Sequence, residues 1–238
     1  MIEIFCTFVD SYSINLKKSL GMKTPVKFAV FFMMILLMVS CGSEKKTRLF
    51  NGKNLDNWSI YTDDPEVDPG TVFWVEDGIL NTSGEPFGYL RTKESYSNYR
   101  LHVEWRWPGE PTNSGVLLHV QGKDRIFPHC IEAQLMHGKA GDIVLMGAGA
   151  GVTVRDSSYL VVSDENFYLS IPKFEKSSEL TPGEWNRYEI TSLNGDLELV
   201  VNGVVQHFAT GVTMQEGNIA LQSEGSPLQF RNIYLVAL

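Results

Sequence analysis

From Leu49 onward, apolar and polar positions alternate with a period of two, and each alternating run is short. The runs are Asn57 to Tyr61, Phe73 to Val75, Ile79-Leu80, Tyr99 to Trp107, Gly115 to Val120, Cys130 to Met136, Asp142 to Met146, Val152 to Val154 and Phe167 to Ile171. Trp185 to Ser192, Leu197 to Val201, Val204 to Phe208, Ile219 to Ser223 and Leu228 to Leu235 complete the set. Asn194-Gly195 and Asn202-Gly203 lie between apolar runs, where a type I′ hairpin turn needs two consecutive positive φ angles. Glu76-Asp77-Gly78 marks a further turn. No long window carries a helical period. Many short strands with no helices between them predict an all-β chain, an antiparallel β-sandwich or barrel, built as a single domain. Pro172 to Gly183 reads as a polar surface loop within it. Gly147-x-Gly149-x-Gly151 reads as a turn, since it lacks the spacing and following helix of a dinucleotide fingerprint.

The residues ahead of the strands follow a different pattern. Lys23 and Lys27 precede an apolar run, Phe28 to Val39, that is too short for a bilayer span, which takes about 20 apolar residues. A basic segment before a short apolar one is the pattern of an export signal. Ser40-Cys41 ends the run and is similar to the lipobox of bacterial lipoproteins, in which the Cys is lipidated and becomes the first mature residue. An ordinary signal peptide with an incidental Cys is the alternative. The resulting division is an upstream segment and signal over 1–40, a tether over 41–48 and a β-sandwich over 49–238. The expected localisation is the cell envelope of a Gram-negative-type bacterium, with Cys41 supplying a lipid anchor in the membrane.

Charge excludes one class of partner. The chain carries 20 Lys and Arg against 28 Asp and Glu, a formal net charge of −8. Without residues 1–40 the balance is 16 basic to 26 acidic. No nucleic-acid partner is expected, because such a surface needs a basic face. Of three cysteines, only Cys130 remains beyond Cys41, so the mature domain has no internal disulfide to form. Cys130 reads as a half-buried strand residue; no activating helix N-terminus stands beside it.

Alternation also sorts side chains by face. In Leu101 to Trp107, His102, Glu104 and Arg106 oppose Leu101, Val103, Trp105 and Trp107. In Val116 to Val120, His119 opposes the apolar set unless a bulge intervenes. Glu132 and Gln134 oppose Ile131, Ala133 and Leu135, and Gln222 and Glu224 alternate with Leu221 and Ser223. A solvated outer face would alternate in the same way. However, these positions hold His, Glu, Gln and Arg beside Trp105, Trp107 and Phe127, the composition expected of a binding cleft. Trp58, Trp74 and Trp185 read as core, with one of them available to stack on a sugar.

Leu49-Phe50-Asn51-Gly52-Lys53-Asn54-Leu55 followed by Trp58 resembles the opening of the 3-keto-disaccharide hydrolase domain family. Trp74 to Leu80, Asn113-Ser114-Gly115-Val116, Gly183-Glu184-Trp185-Asn186, Asn202-Gly203, Ile219 to Gly225 and Phe230-Arg231-Asn232-Ile233 continue the resemblance in order to the C-terminus. It implies a concanavalin-like jelly roll that acts on an oligosaccharide or other glycoside whose C3 hydroxyl has been oxidised to a ketone. His119 and the loop His137-Gly138-Lys139-Ala140-Gly141-Asp142 depart from the pattern expected of the family.

A C3 ketone acidifies the hydrogen on C2, and the glycosidic oxygen on C1 can then leave by elimination. Hydration of the product gives net hydrolysis. Such a reaction needs a base, donors for the enolate and an acid for the leaving oxygen. Glu132 is the first candidate for the base and His119 the second. Arg106, Gln134 and Lys139 are candidate donors, Glu104 and His137 candidate acids, and Gln222 and Glu224 further substrate contacts. Three alternatives stay open: a two-carboxylate glycosidase using Glu104 and Glu132, a non-catalytic lectin-like sugar-binding module, and an envelope scaffold. No cofactor is assigned; a divalent metal on His119, Glu132 and His137 stays open as an alternative, although no compact ligand spacing supports it.

Overall fold

The computed structural model describes residues 45–165 and 167–238. The export-signal pattern and Cys41 lie outside these residues. Two antiparallel sheets form the body. The first runs β15 (Val204–Ala209), β14 (Asp196–Val201), β13 (Asn186–Leu193), β6 (Tyr99–Arg106), β17 (Leu228–Ala237), β4 (Ile79–Thr82) and β3 (Phe73–Glu76), and β1 (Lys46–Arg48) also pairs with β17. The second runs β12 (Tyr168–Ile171), β9 (Ile143–Met146), β8 (His129–Gln134), β7 (Gly115–Gln121), β16 (Asn218–Ser223), β5 (Gly88–Thr92) and β2 (Trp58–Thr62). A separate hairpin joins β10 (Gly151–Val154) to β11 (Ser157–Leu160), and one helical turn, α1 (Pro69–Val72), precedes β3. No helix among the described residues is long and apolar enough to cross a membrane.

The inward faces of the sheets make one continuous core. Leu101, Val103 and Trp105 of β6 share it with Tyr188 and Ile190 of β13 and Phe230 of β17. Val116 and Leu118 of β7, Ile131 and Ala133 of β8, Leu145 of β9 and Leu221 of β16 meet them from the second sheet. Each is at most 1% exposed, so each large apolar side chain contributes roughly 1.5–3 kcal/mol of burial. Hairpins set the register. Asn194 and Asn202 have φ of 52° and 51°, followed by Gly195 and Gly203 at 86° and 85°, as the Asn-Gly pairs predict.

Three elements differ from the sequence expectation. Lys46–Arg48, read as tether, is an edge strand on β17. Gly88–Thr92 is a strand missed by patterning, because Tyr89 and Leu90 are buried on opposite faces and no alternation shows. Ser157–Leu160 is a polar strand whose hairpin turn uses Arg155 and Asp156 at positive φ (46° and 66°) without glycine.

Candidate functional site

The second sheet carries a cleft of about 360 Å³ on its outer face, lined by residues that include Asn113, Glu132, Gln134, Lys139, Gln222 and Glu224. Strand pairing explains this convergence. Glu132 pairs with Leu117 on one side and Val144 on the other, and Gln134 pairs with Gly115. Residues two apart on one strand share a face, so Glu132 and Gln134 project together. On β16, Gln222 shares that face, and Glu224 bridges Asn113 just beyond the strand end.

Glu132 is 4% exposed, and its Oε1 has no hydrogen-bond partner. Burial between aliphatic strand neighbours, reinforced by the Glu224 charge, pushes its pKa from 4.5 up to about 8. It therefore rests protonated at neutral pH. Gly115 makes room for this carboxyl group: a Cβ there would collide with Glu132 Oε1. Burial also raises Glu224, but amide donors from Asn113 and Gln222 oppose the rise. With two donors on Glu224 and an unpartnered oxygen on Glu132, the first proton resides on Glu132.

The two glutamines are oriented by their own hydrogen bonds. Gln134 Oε1 accepts the backbone N–H groups of Leu135 at 2.8 Å and Met136 at 2.7 Å. Two N–H donors require an oxygen there, so the Gln134 NH₂ group is the end left for the cleft. Gln222 is the reverse: its amide serves Glu224, and its buried Oε1 is unpartnered. Lys139 lies where the cleft meets a broader groove that also contains Ser170, Asp142 and Lys173.

The opposite side of the cleft is apolar. Val144 and Met146 of β9, with Phe127, Phe167 and Tyr168, line it. Phe127 and Phe167 stack with ring centroids 5.1 Å apart. Phe127, singled out in the sequence as an aromatic near the cleft, and Phe167, read there as the head of the run to Ile171, both lie just outside the strands, and only the folded chain joins them.

Other expected site residues lie elsewhere. Glu104 and Arg106 belong to β6 of the first sheet, away from Glu132. Glu104 takes Arg231 Nε at 2.6 Å and Asn232 Nδ2 at 2.8 Å. Despite burial, which acts upward, these donors hold its carboxyl below the usual carboxylate range. Arg106 donates to Gln229 at 2.6 Å and lies over Trp185. The alternation reading was right about face but could not tell which sheet each strand joins. Glu104 and Glu132 therefore do not form a two-carboxylate pair.

His119 is also displaced, because β7 bulges there. Its φ is 54°, and the ladders to β8 and β16 both shift register around it. The ring turns inward, where Nδ1 donates to the Met214 carbonyl at 2.5 Å and Nε2 accepts from Ser192 Oγ at 3.3 Å. Burial lowers its pKa, so it is a neutral histidine between the sheets and not a base in the cleft. His137 lies in its loop 3.5 Å from Glu179 Oε1. His119, Glu132 and His137 thus share no centre. Among the described residues, no group of three or more His, Cys, Asp or Glu side chains is placed to hold a metal ion. Cys130 is fully buried, and burial pushes its thiol pKa up, consistent with an inert strand residue.

The fold has relatives among solved structures. It is similar to a proposed glycosyl hydrolase from Parabacteroides distasonis, at 22% identity and a TM-score of 0.58, over 82% of this chain and 95% of that one. It is also similar to the β-glucanase of Bacillus licheniformis, at 12% identity and a TM-score of 0.52, over 84% of this chain and all of that one. At these identities the likeness establishes the concanavalin-like sandwich architecture alone. No curated protein matches the sequence. The model of the 3-keto-α-glucoside-1,2-lyase-like domain family matches residues 45–236, and the chain belongs to that family.

Proposed function

We propose that the protein cleaves glycosides carrying a C3 ketone, with Glu132 as general acid and Glu224 as general base. One observation carries the assignment: two carboxyl groups share a cleft, and the environment of one keeps it protonated near neutral pH. A pair of titratable groups in unequal environments is the arrangement that acid–base catalysis requires. Membership of the family supports a carbohydrate-active role.

Glu224 removes the proton from C2, and the C–H electrons form an enolate onto the C3 oxygen. The Gln134 NH₂ group and the Lys139 ammonium supply donors for that oxygen. The enolate then collapses, the C3 ketone re-forms, a C1–C2 double bond appears and the C1–O bond breaks. Glu132 gives its proton to the departing oxygen. Addition of water to the resulting enone completes net hydrolysis. We therefore assign Glu132 the part of the acid, where the sequence alone suggested the base, because burial favours its protonated form and a base must begin ionised. Gln222 Oε1, unpartnered in the cleft, accepts a sugar hydroxyl.

The test incubates the purified protein with a 3-keto-glucoside and with its unoxidised parent. Cleavage of the ketone substrate only, falling at least 100-fold in both Glu132→Gln and Glu224→Gln, supports the reading. In deuterated solvent, Glu224→Gln should also lose exchange of the C2 hydrogen, whereas Glu132→Gln retains it. Sugar binding without cleavage would mean a non-catalytic module.

A further inference from the structure

The cleft divides along β8. On the β16 side of Glu132 stand Gln222, Glu224 and Asn113, which suit a sugar ring and its hydroxyls. On the β9 side stand Val144, directly paired with Glu132, and Met146, paired with Cys130. Phe127, which packs against the cluster holding Val144 and Met146, stacks on Phe167, and both rings line the cleft with them. The aromatic surface continues outward through Phe87, 6.4 Å from Phe127, and Tyr168, 5.4 Å from Phe167, which are 38% and 60% exposed. A contiguous apolar surface beside buried, unpartnered polar atoms marks a site for a ligand of mixed character.

We propose that this apolar half receives an apolar, preferentially aromatic aglycone, so that the substrate is a 3-keto-glycoside of an aryl or arylalkyl alcohol. The inference rests on the reading of Glu132 as the acid at the departing oxygen. A sugar ring held on the β16 side puts that oxygen at Glu132, and whatever the oxygen carries then faces Val144, Met146 and the Phe127–Phe167 pair. A second sugar there would place its hydroxyls against side chains with few hydrogen-bonding groups, Ser170, the Tyr168 hydroxyl and Lys139 at the junction with the neighbouring groove excepted, whereas a phenyl ring removes apolar surface from water and stacks.

Two measurements test it. In the first, isothermal calorimetry compares benzyl glucoside with methyl glucoside on the wild type, Phe127→Ala and Phe167→Ala, each checked for an unchanged thermal midpoint. The benzyl compound should bind the wild type about ten-fold more tightly, with most of that preference gone in both variants. Equal affinity for the two glycosides would overturn the proposal. In the second, kcat/KM is measured for benzyl 3-keto-glucoside and for a 3-keto-disaccharide. Phe127→Ala should lower the ratio of the two about ten-fold; comparing one substrate pair across two proteins cancels their intrinsic reactivities. An unchanged ratio overturns the proposal while leaving the ketone chemistry intact. If the wild type cleaves neither substrate, the proposed reaction is wrong and the calorimetric preference alone decides the role of the wall.

Discussion

Replacing Glu132 by Gln should stabilise the protein while removing its activity, and the stabilisation should grow with pH. Glu132 is raised from 4.5 to about 8 by burial. In the unfolded chain it ionises near its ordinary value. Between pH 4.5 and 8 the native state therefore holds a proton that the unfolded state has lost, and stability declines as pH rises. Below pH 4.5 both states are protonated and the decline is absent; above pH 8 it is complete. The full displacement corresponds to about 5 kcal/mol, an upper limit because Glu224 titrates with it and the native state can relax. Gln is close in shape to the protonated acid and carries no such penalty. A net gain of about 2–3 kcal/mol at pH 8 shifts the midpoint of a domain this size by roughly 5–10 °C. The assay is thermal or urea unfolding of wild type and Glu132→Gln from pH 4.5 to 8.5. A stability difference that stays flat across this range, or a variant less stable at pH 8, would refute the reasoning.

Further variants separate the cleft from the rest of the sandwich. Gly115→Ala should cost about 1–3 kcal/mol in urea unfolding and abolish cleavage, because its Cβ occupies the space of the Glu132 carboxyl group. Glu104→Gln should leave kcat/KM within two-fold while lowering stability by about 1–2 kcal/mol through its bonds to Arg231 and Asn232; a large loss of activity would return Glu104 to the site. His119→Ala should destabilise by roughly 2–4 kcal/mol, since it empties space between the sheets and leaves the Met214 carbonyl unpaired. In whatever fraction of that variant remains folded, the pH profile of cleavage should match the wild type.

The strands were legible because period-two alternation and Asn-Gly turns are local signals, and parity gave the face of the polar residues wherever the strand carries no bulge. Glu132, Gln134, Gln222 and Glu224 meet in the cleft for that reason. Sheet membership was not legible. Glu104 and Arg106 obey the same alternation as Glu132, yet β6 joins β13 and β17 in the first sheet, a long-range pairing that no short window contains. His119 was misplaced by a single inserted residue, since a bulge turns a side chain to the other face. The protonation of Glu132 depends on Leu117 and Val144 across the ladder, contacts that exist only in the folded chain.

The central claim, that Glu132 acts as an acid, is tested most directly by the pH dependence of kcat/KM on a 3-keto-glucoside. If Glu132 donates its proton, activity falls as pH rises through about 8, and Glu132→Gln loses this alkaline limb along with most of the rate. Activity that instead climbs through pH 8 would make Glu132 the base and contradict the account.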